Sequence, residues 1–166
     1  MFALTLALTV AASAFACDRA PDEERVDGGA VMSFDTARVL LVTGRDTVVV
    51  KAQIARTGEQ RTMGLMERAS LAADSGMLFV YDADQPANAG FWMFRTRIPL
   101  DIAFADSTGR IVAIRTMEPC TASLAAGCPS YEPGAPYRYA LEVNAGFFAR
   151  RRVVVGSTIV WRPRSR

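Results

Sequence analysis

Apolar and polar positions alternate with period two along much of this chain. Val48, Val50, Ala52 and Ile54 fall on one side while Lys51 and Gln53 fall on the other, which predicts a half-buried strand entered through Gly44 and Asp46. The same alternation sets Tyr137, Tyr139, Leu141 and Val143 against Arg138, Glu142 and Asn144. Ile102 and Phe104, the turn residues Asp106-Ser107-Thr108-Gly109, and Ile111 to Ile114 read as a β-hairpin, because a short polar turn ending in glycine joins two apolar runs. Arg38 to Val42, Met77 to Tyr81, Phe91 to Arg95 and Thr158 to Trp161 are further predicted strands.

Helical signals are confined to two places. Thr57 and Gln60 have the spacing of a capping box, and Met63 and Met66 then fall one turn apart on a short helix that Gly64 weakens. Asn144 is expected to cap a second helix, Ala145 to Arg151, whose basic last turn suits the helix dipole. Many short strands with one or two short helices predict a mostly β, or α+β, fold: a small, mainly antiparallel sheet or a partly open barrel.

The N-terminus has a different character. Residues 1–16 hold 13 apolar residues and no charge, and the run ends in Ala14-Phe15-Ala16, the small-x-small pattern accepted by signal peptidase. At this length it is short for a bilayer-spanning helix and reads as an export signal. Cys17 follows directly, in the position of the acylated first residue of a bacterial lipoprotein. Ala14 and Phe15 depart from the Leu-like and small residues usual there, and no Lys or Arg precedes the run. Lipid attachment at Cys17, cleavage to a free periplasmic form and an uncleaved anchor are the three outcomes. Residues 17–35 form a charged, turn-prone linker, 36–162 one strand-rich domain, and 163–166 a basic tail.

Charge narrows the partners. The 19 basic and 17 acidic residues give a net charge of +2, but residues 150–166 carry six arginines and no acid. The preceding 149 residues therefore sum to −4. A mildly acidic body without a Gly-rich phosphate loop or finger spacing gives no expectation of nucleic-acid binding. Arg162, Arg164 and Arg166 are a solvated tail, able to attract anionic headgroups only if the N-terminus already holds the protein at a membrane. The expected partner is a small molecule or another envelope protein.

Histidine is absent, which removes Ser-His-Asp and Cys-His catalysis and His-ligated zinc or haem. No cofactor is expected. With Cys17 set aside, Cys120 and Cys128 form an even pair in a loop rich in Pro, Gly and Ala. A disulfide is the economical reading, and a two-thiolate metal site with Met117 is the alternative.

Three blocks carry most of the unusual chemistry: Thr57-Gly58-Glu59-Gln60-Arg61-Thr62-Met63-Gly64-Leu65-Met66-Glu67-Arg68, Gly76-Met77-Leu78-Phe79-Val80-Tyr81, and Phe91-Trp92-Met93-Phe94-Arg95-Thr96-Arg97-Ile98-Pro99-Leu100-Asp101. With Leu141-Glu142-Val143-Asn144-Ala145-Gly146 and a late Gly156, their ordered series resembles the family catalogued as domain of unknown function 192, over roughly residues 46–161. The resemblance implies a compact strand-rich domain, often exported in bacteria, with no established activity. It says nothing about the N-terminus or the Cys120 to Cys128 loop.

Within these blocks, three constellations are candidates. Arg61, Arg68, Trp92, Met93, Thr96 and Asp101 could line a pocket for a small anion or planar ligand, since guanidinium suits carboxylate or phosphate; the alternative is surface charge along a sheet edge. Met63, Met66, Met77 and Met93 beside Trp92 could hold copper(I) through thioethers, against the plainer reading of methionines filling core gaps. Asp101 and Glu142 could act as a general acid and base, against the plainer reading of two structural ion pairs with nearby arginines. The absence of histidine and of a nucleophile elbow favours binding over catalysis.

Overall fold

The computed structural model describes residues 32–162. The export signal, Cys17 and most of the linker, and the 163–166 tail, lie outside the described residues.

Seven strands form one sheet: β1 (Asp35–Val42), β2 (Thr47–Ala55), β3 (Ser75–Gln85), β4 (Leu100–Ala105), β5 (Ile111–Met117), β6 (Tyr137–Asn144) and β7 (Thr158–Val160), in the order β5-β4-β6-β3-β2-β1-β7. Every pairing is antiparallel except β2 with β3, which run parallel because the helix α1 (Gly58–Met63) carries the chain across between them. The expected alternation in β2 is borne out: Val50, Ala52 and Ile54 are buried, and Lys51 is exposed.

The sheet curls until its two ends approach. Ile159 N donates to Gly109 O at 2.7 Å and Ile111 N to Ser157 O at 2.8 Å, so β7 closes on the β4–β5 hairpin. A Cβ at Gly109 would lie 2.3 Å from Ile159 O, and its φ is +86°, so this seam requires glycine. The result is a mostly β, curled half-barrel, as the pattern of strands predicts.

Two apolar cores lie on opposite faces. The first draws on all seven strands, through residues such as Leu41, Val50, Leu78, Ala103, Ile111, Leu141 and Ile159, and is plugged by Phe147 and Phe148 of α2 (Phe147–Arg150). The second covers the other face of β3, β6, β4 and β5, where Met77, Phe79, Ile102, Phe104 and Ala140 meet Leu65, Met93 and Phe91 from the connecting segments.

Two local expectations need correction. Phe91 to Arg95 is not a strand: it makes isolated bridges from Phe91 to Tyr131 and Phe94 to Cys120, and Arg95 turns into a left-handed conformation. Its apolar side chains cover the second core rather than alternate across a sheet, with Met93 fully buried and Phe91 set edge-on to Phe79 and Phe104. Asn144 does not cap α2. It ends β6 and its Nδ2 donates to Leu71 O and Ala72 O at 3.0 and 3.1 Å, while Gly146, at φ +74°, makes the turn into the helix.

Candidate binding pocket

The capping box at the start of α1 forms as the sequence predicts. Gln60 N donates to Thr57 Oγ1 at 3.1 Å, and Thr57 N donates back to Gln60 Oε1 at 3.1 Å. Helix α1 buries none of its own residues and stands at the rim of the second core. Opposite it, the segment 86–99 crosses the same face, held against the 118–136 connection where a Cβ on Gly90 would meet Ser130 Oγ at 2.2 Å. Cys120 N donates to Met93 O at 3.3 Å, and a Cys120–Cys128 disulfide closes the connection, with Cα atoms 5.7 Å apart.

Between the two walls lies an open pocket of about 320 Å³. Arg61, Thr62, Met63 and Met66 come from α1 and its exit, Phe79 and Tyr81 from β3, Phe91, Trp92, Phe94 and Thr96 from the crossing segment, and Glu142 from β6. Trp92 is 50% exposed and Met63 42%, whereas Glu142 is only 4% exposed. The depth follows from register: Glu142 lies between Met77 of β3 and Ile102 of β4, in the middle of the sheet. Among the described residues no group donates a hydrogen bond to its carboxyl, and burial pushes its pKa up to about 8.

Arg61 is already engaged. Its guanidinium lies 4.7 Å from the centre of the Tyr81 ring, donates to Val80 O at 3.2 Å, and donates to Arg56 O. Burial raises the Tyr81 phenol above its ordinary value, and the Arg61 charge partly opposes this. Thr96 is buried, with its N–H donating to Met93 O at 3.0 Å.

The structure therefore gathers Arg61, Trp92, Thr96 and Glu142, with Met63 and Met66, and leaves the other candidates elsewhere. Asp101 pairs with Val143 rather than Glu142, so the two carboxyls point to opposite faces of the sheet. Asp101 accepts from the Thr116 hydroxyl at 2.8 Å and from Phe148 N at 3.4 Å, which ties β4 to α2. Arg68 donates to Gln53 Oε1 and lines a separate depression with Lys51 and Ser70. Met77 and Met93 are fully buried, so only two of the four thioethers reach the pocket. Among the described residues no group of three or more His, Cys, Asp or Glu side chains is placed to hold a metal. Tyr81, Phe79, Phe91 and Phe94 are lining residues that sequence reasoning did not select. For Tyr81 the signal was present, since it continues the alternation of Met77 and Phe79.

A curled seven-stranded mixed sheet, with a short crossover helix at the rim of a pocket on one face, defines a half-barrel β domain. The chain belongs to the domain of unknown function 192 family, whose model, described as "Uncharacterized ACR", matches residues 40–161. Solved structures similar to this chain include the following two. A candidate transcription regulator from Sinorhizobium meliloti 1021 is 32% identical with a TM-score of 0.69, the match covering 79% of this chain and 97% of that one. A protein of unknown function from Novosphingobium aromaticivorans DSM 12444 is 28% identical with a TM-score of 0.66, the match covering 80% of this chain and 90% of that one. No curated protein matches the chain.

Proposed function

We propose that this protein is a non-enzymatic ligand-binding domain of the bacterial cell envelope, exported by residues 1–16 and held by a lipid on Cys17, whose open pocket takes a small molecule. The observation that carries the binding reading is Glu142: a buried carboxyl without a described hydrogen-bond donor, at the floor of a pocket whose mouth displays a half-exposed tryptophan. Among the described residues no enclosed side-chain oxygen lacks a partner, so the Glu142 carboxyl opens onto the pocket, where a ligand would take the place of water. The pocket is at the small end of the range for ligand sites, which suits a compact molecule with an apolar body and one polar end. The export pattern and the cysteine at position 17 support the location.

The Sinorhizobium meliloti relative is described as a candidate transcription regulator. This chain has no Gly-rich phosphate loop or finger spacing, and its pocket favours a small-molecule partner.

Native mass spectrometry of the protein purified from its own envelope fraction tests each part. The expected spectrum shows acylation at Cys17, loss of residues 1–16, and a retained small molecule that is absent from a Trp92→Ala variant. A full-length, unacylated chain would overturn the envelope reading. A wild-type protein that is empty, and whose Trp92 emission no envelope extract alters, would overturn the binding reading.

A further inference from the structure

The pocket walls restrict the ligand's polar end, an inference that rests on the binding reading above. Two chemistries could satisfy Glu142: an ammonium facing a carboxylate, or an acceptor oxygen facing a carboxylic acid. Ammonium recognition usually adds open aromatic faces around the cation. Here those faces are largely taken. The Tyr81 ring already carries the Arg61 guanidinium at 4.7 Å, and Phe79 and Phe91 are set edge-on to each other at 4.9 Å. Among the described residues Trp92 and Phe94 have no ring or cation partner, and Trp92 stands at the exposed mouth.

The fixed charge in the wall is also of the wrong sign for a cation. Arg61 cannot easily swing away, because it donates to the carbonyl oxygens of both Arg56 and Val80. Around Glu142 itself, the facing residues on β3 and β4 are Met77 and Ile102, and Asp101 is turned to the other side of the sheet. The crossing segment contributes Trp92 and Thr96, and the exit of α1 contributes Met66, none of them titratable. Among the described residues, Tyr81 and Arg61 are the titratable side chains that share the pocket with Glu142, and burial raises the Tyr81 phenol further above its ordinary value.

We propose that the pocket selects a small molecule with an apolar body and an acceptor oxygen, as in a carboxamide, ketone or carboxylate, which receives a hydrogen bond from the Glu142 carboxyl, and that it rejects organic ammonium ions. Burial keeps the carboxyl un-ionised at neutral pH, in line with this role as donor.

Three probes with one body test this: 3-phenylpropanamide, 3-phenylpropanoate and 3-phenylpropylammonium, titrated into the Trp161→Phe variant so that emission reports Trp92. The amide and the carboxylate are expected to bind, and the ammonium to bind at least about tenfold more weakly, the loss expected when a buried hydrogen bond cannot form. Amide affinity should hold steady below neutrality and fall about tenfold per unit once pH passes the Glu142 transition. Glu142→Gln keeps a donor, so it should retain amide binding while losing that pH dependence. Tighter binding of the ammonium, strengthening as pH rises, would overturn the acceptor-oxygen inference and leave the binding reading standing. Failure of all three probes to alter Trp92 emission or its indole NMR signal would overturn both.

Discussion

Glu67 and Arg95 clasp each other twice. Glu67 N donates to Arg95 O at 2.8 Å, Arg95 Nε donates to Glu67 Oε1 at 2.7 Å, and both residues hold left-handed backbone conformations, with φ of +60° and +55°. One follows α1 and the other lies in the segment that carries Trp92, so the clasp joins the two walls of the pocket. The side chains are 53% and 58% exposed, and such an ion pair contributes about 1 kcal/mol or less. The left-handed conformation costs a non-glycine residue about 1 kcal/mol. Glu67→Gly should therefore leave stability within about 1 kcal/mol of the parent, because relief of strain offsets loss of the ion pair. Glu67→Val, β-branched in the same conformation, should lose about 2 kcal/mol. Urea unfolding measures both. A large loss in the glycine variant would show that the side chains, not the backbone bond, carry the clasp.

Glu142 makes stability depend on pH in an unusual direction. Its carboxyl is raised from an ordinary 4.5 to about 8 in the folded protein, so between these values the folded state holds a proton that the unfolded state has lost. Stability is then fully present below about 4.5 and declines as pH rises, by up to about 1.4 kcal/mol per unit, until it levels above about 8. Glu142→Gln should match the parent near pH 5 and exceed it by several kcal/mol near pH 8. Thermal unfolding of the two proteins across this range gives the comparison. Parallel curves would mean that the carboxyl is solvated well enough to ionise normally.

Alternation made β2 legible, because it buries one face; β4 is buried at all six positions, so alternation does not record it. The β4–β5 hairpin was legible from its turn: Asp106 Oδ1 accepts from Thr108 N at 2.9 Å and from Arg110 N at 3.0 Å, which is what an Asp-Ser-Thr-Gly turn is built to do. Phe91 to Phe94 misled because an apolar run looks the same whether it pairs in a sheet or lies across one. The pocket residues fall in the blocks that carry the family resemblance, yet the partnership of Asp101 with Glu142 could not be judged. It depends on register between β4 and β6, and a shift of one residue exchanges the faces. Nor does composition show that β2 and β3 run parallel, since that follows from the crossover through α1.

The Cys120–Cys128 disulfide closes a small loop next to the Trp92 segment, joined to it through Cys120 N and Met93 O. On the chain-entropy estimate, a loop of this size stabilises by roughly 2.5 kcal/mol. Reduction, or the Cys120→Ser/Cys128→Ser double variant, should lower the unfolding midpoint accordingly without unfolding the domain, whose cores draw on the sheet. Trp92 emission should also broaden or shift as its segment loosens. An unchanged midpoint after complete reduction would show that the 118–136 connection is held by its other contacts.

Trp92 and Phe91 are adjacent but differ in role, and this gives a test that separates binding from folding. Phe91 packs edge-on against Phe79 at 4.9 Å and Phe104 at 5.5 Å, so Phe91→Ala should open a cavity in the second core and lose about 3 kcal/mol. Trp92 is half exposed at the pocket mouth, and Trp92→Ala should lose less than about 1 kcal/mol. If the pocket binds a ligand through this indole, the ranking reverses for affinity: Trp92→Ala should weaken binding about tenfold or more, in line with loss of a tryptophan anchor. Calorimetric titration and urea unfolding on the same two variants provide the four values. Equal losses of stability, or undiminished binding in Trp92→Ala, would place the tryptophan among the structural residues of the sheet cover.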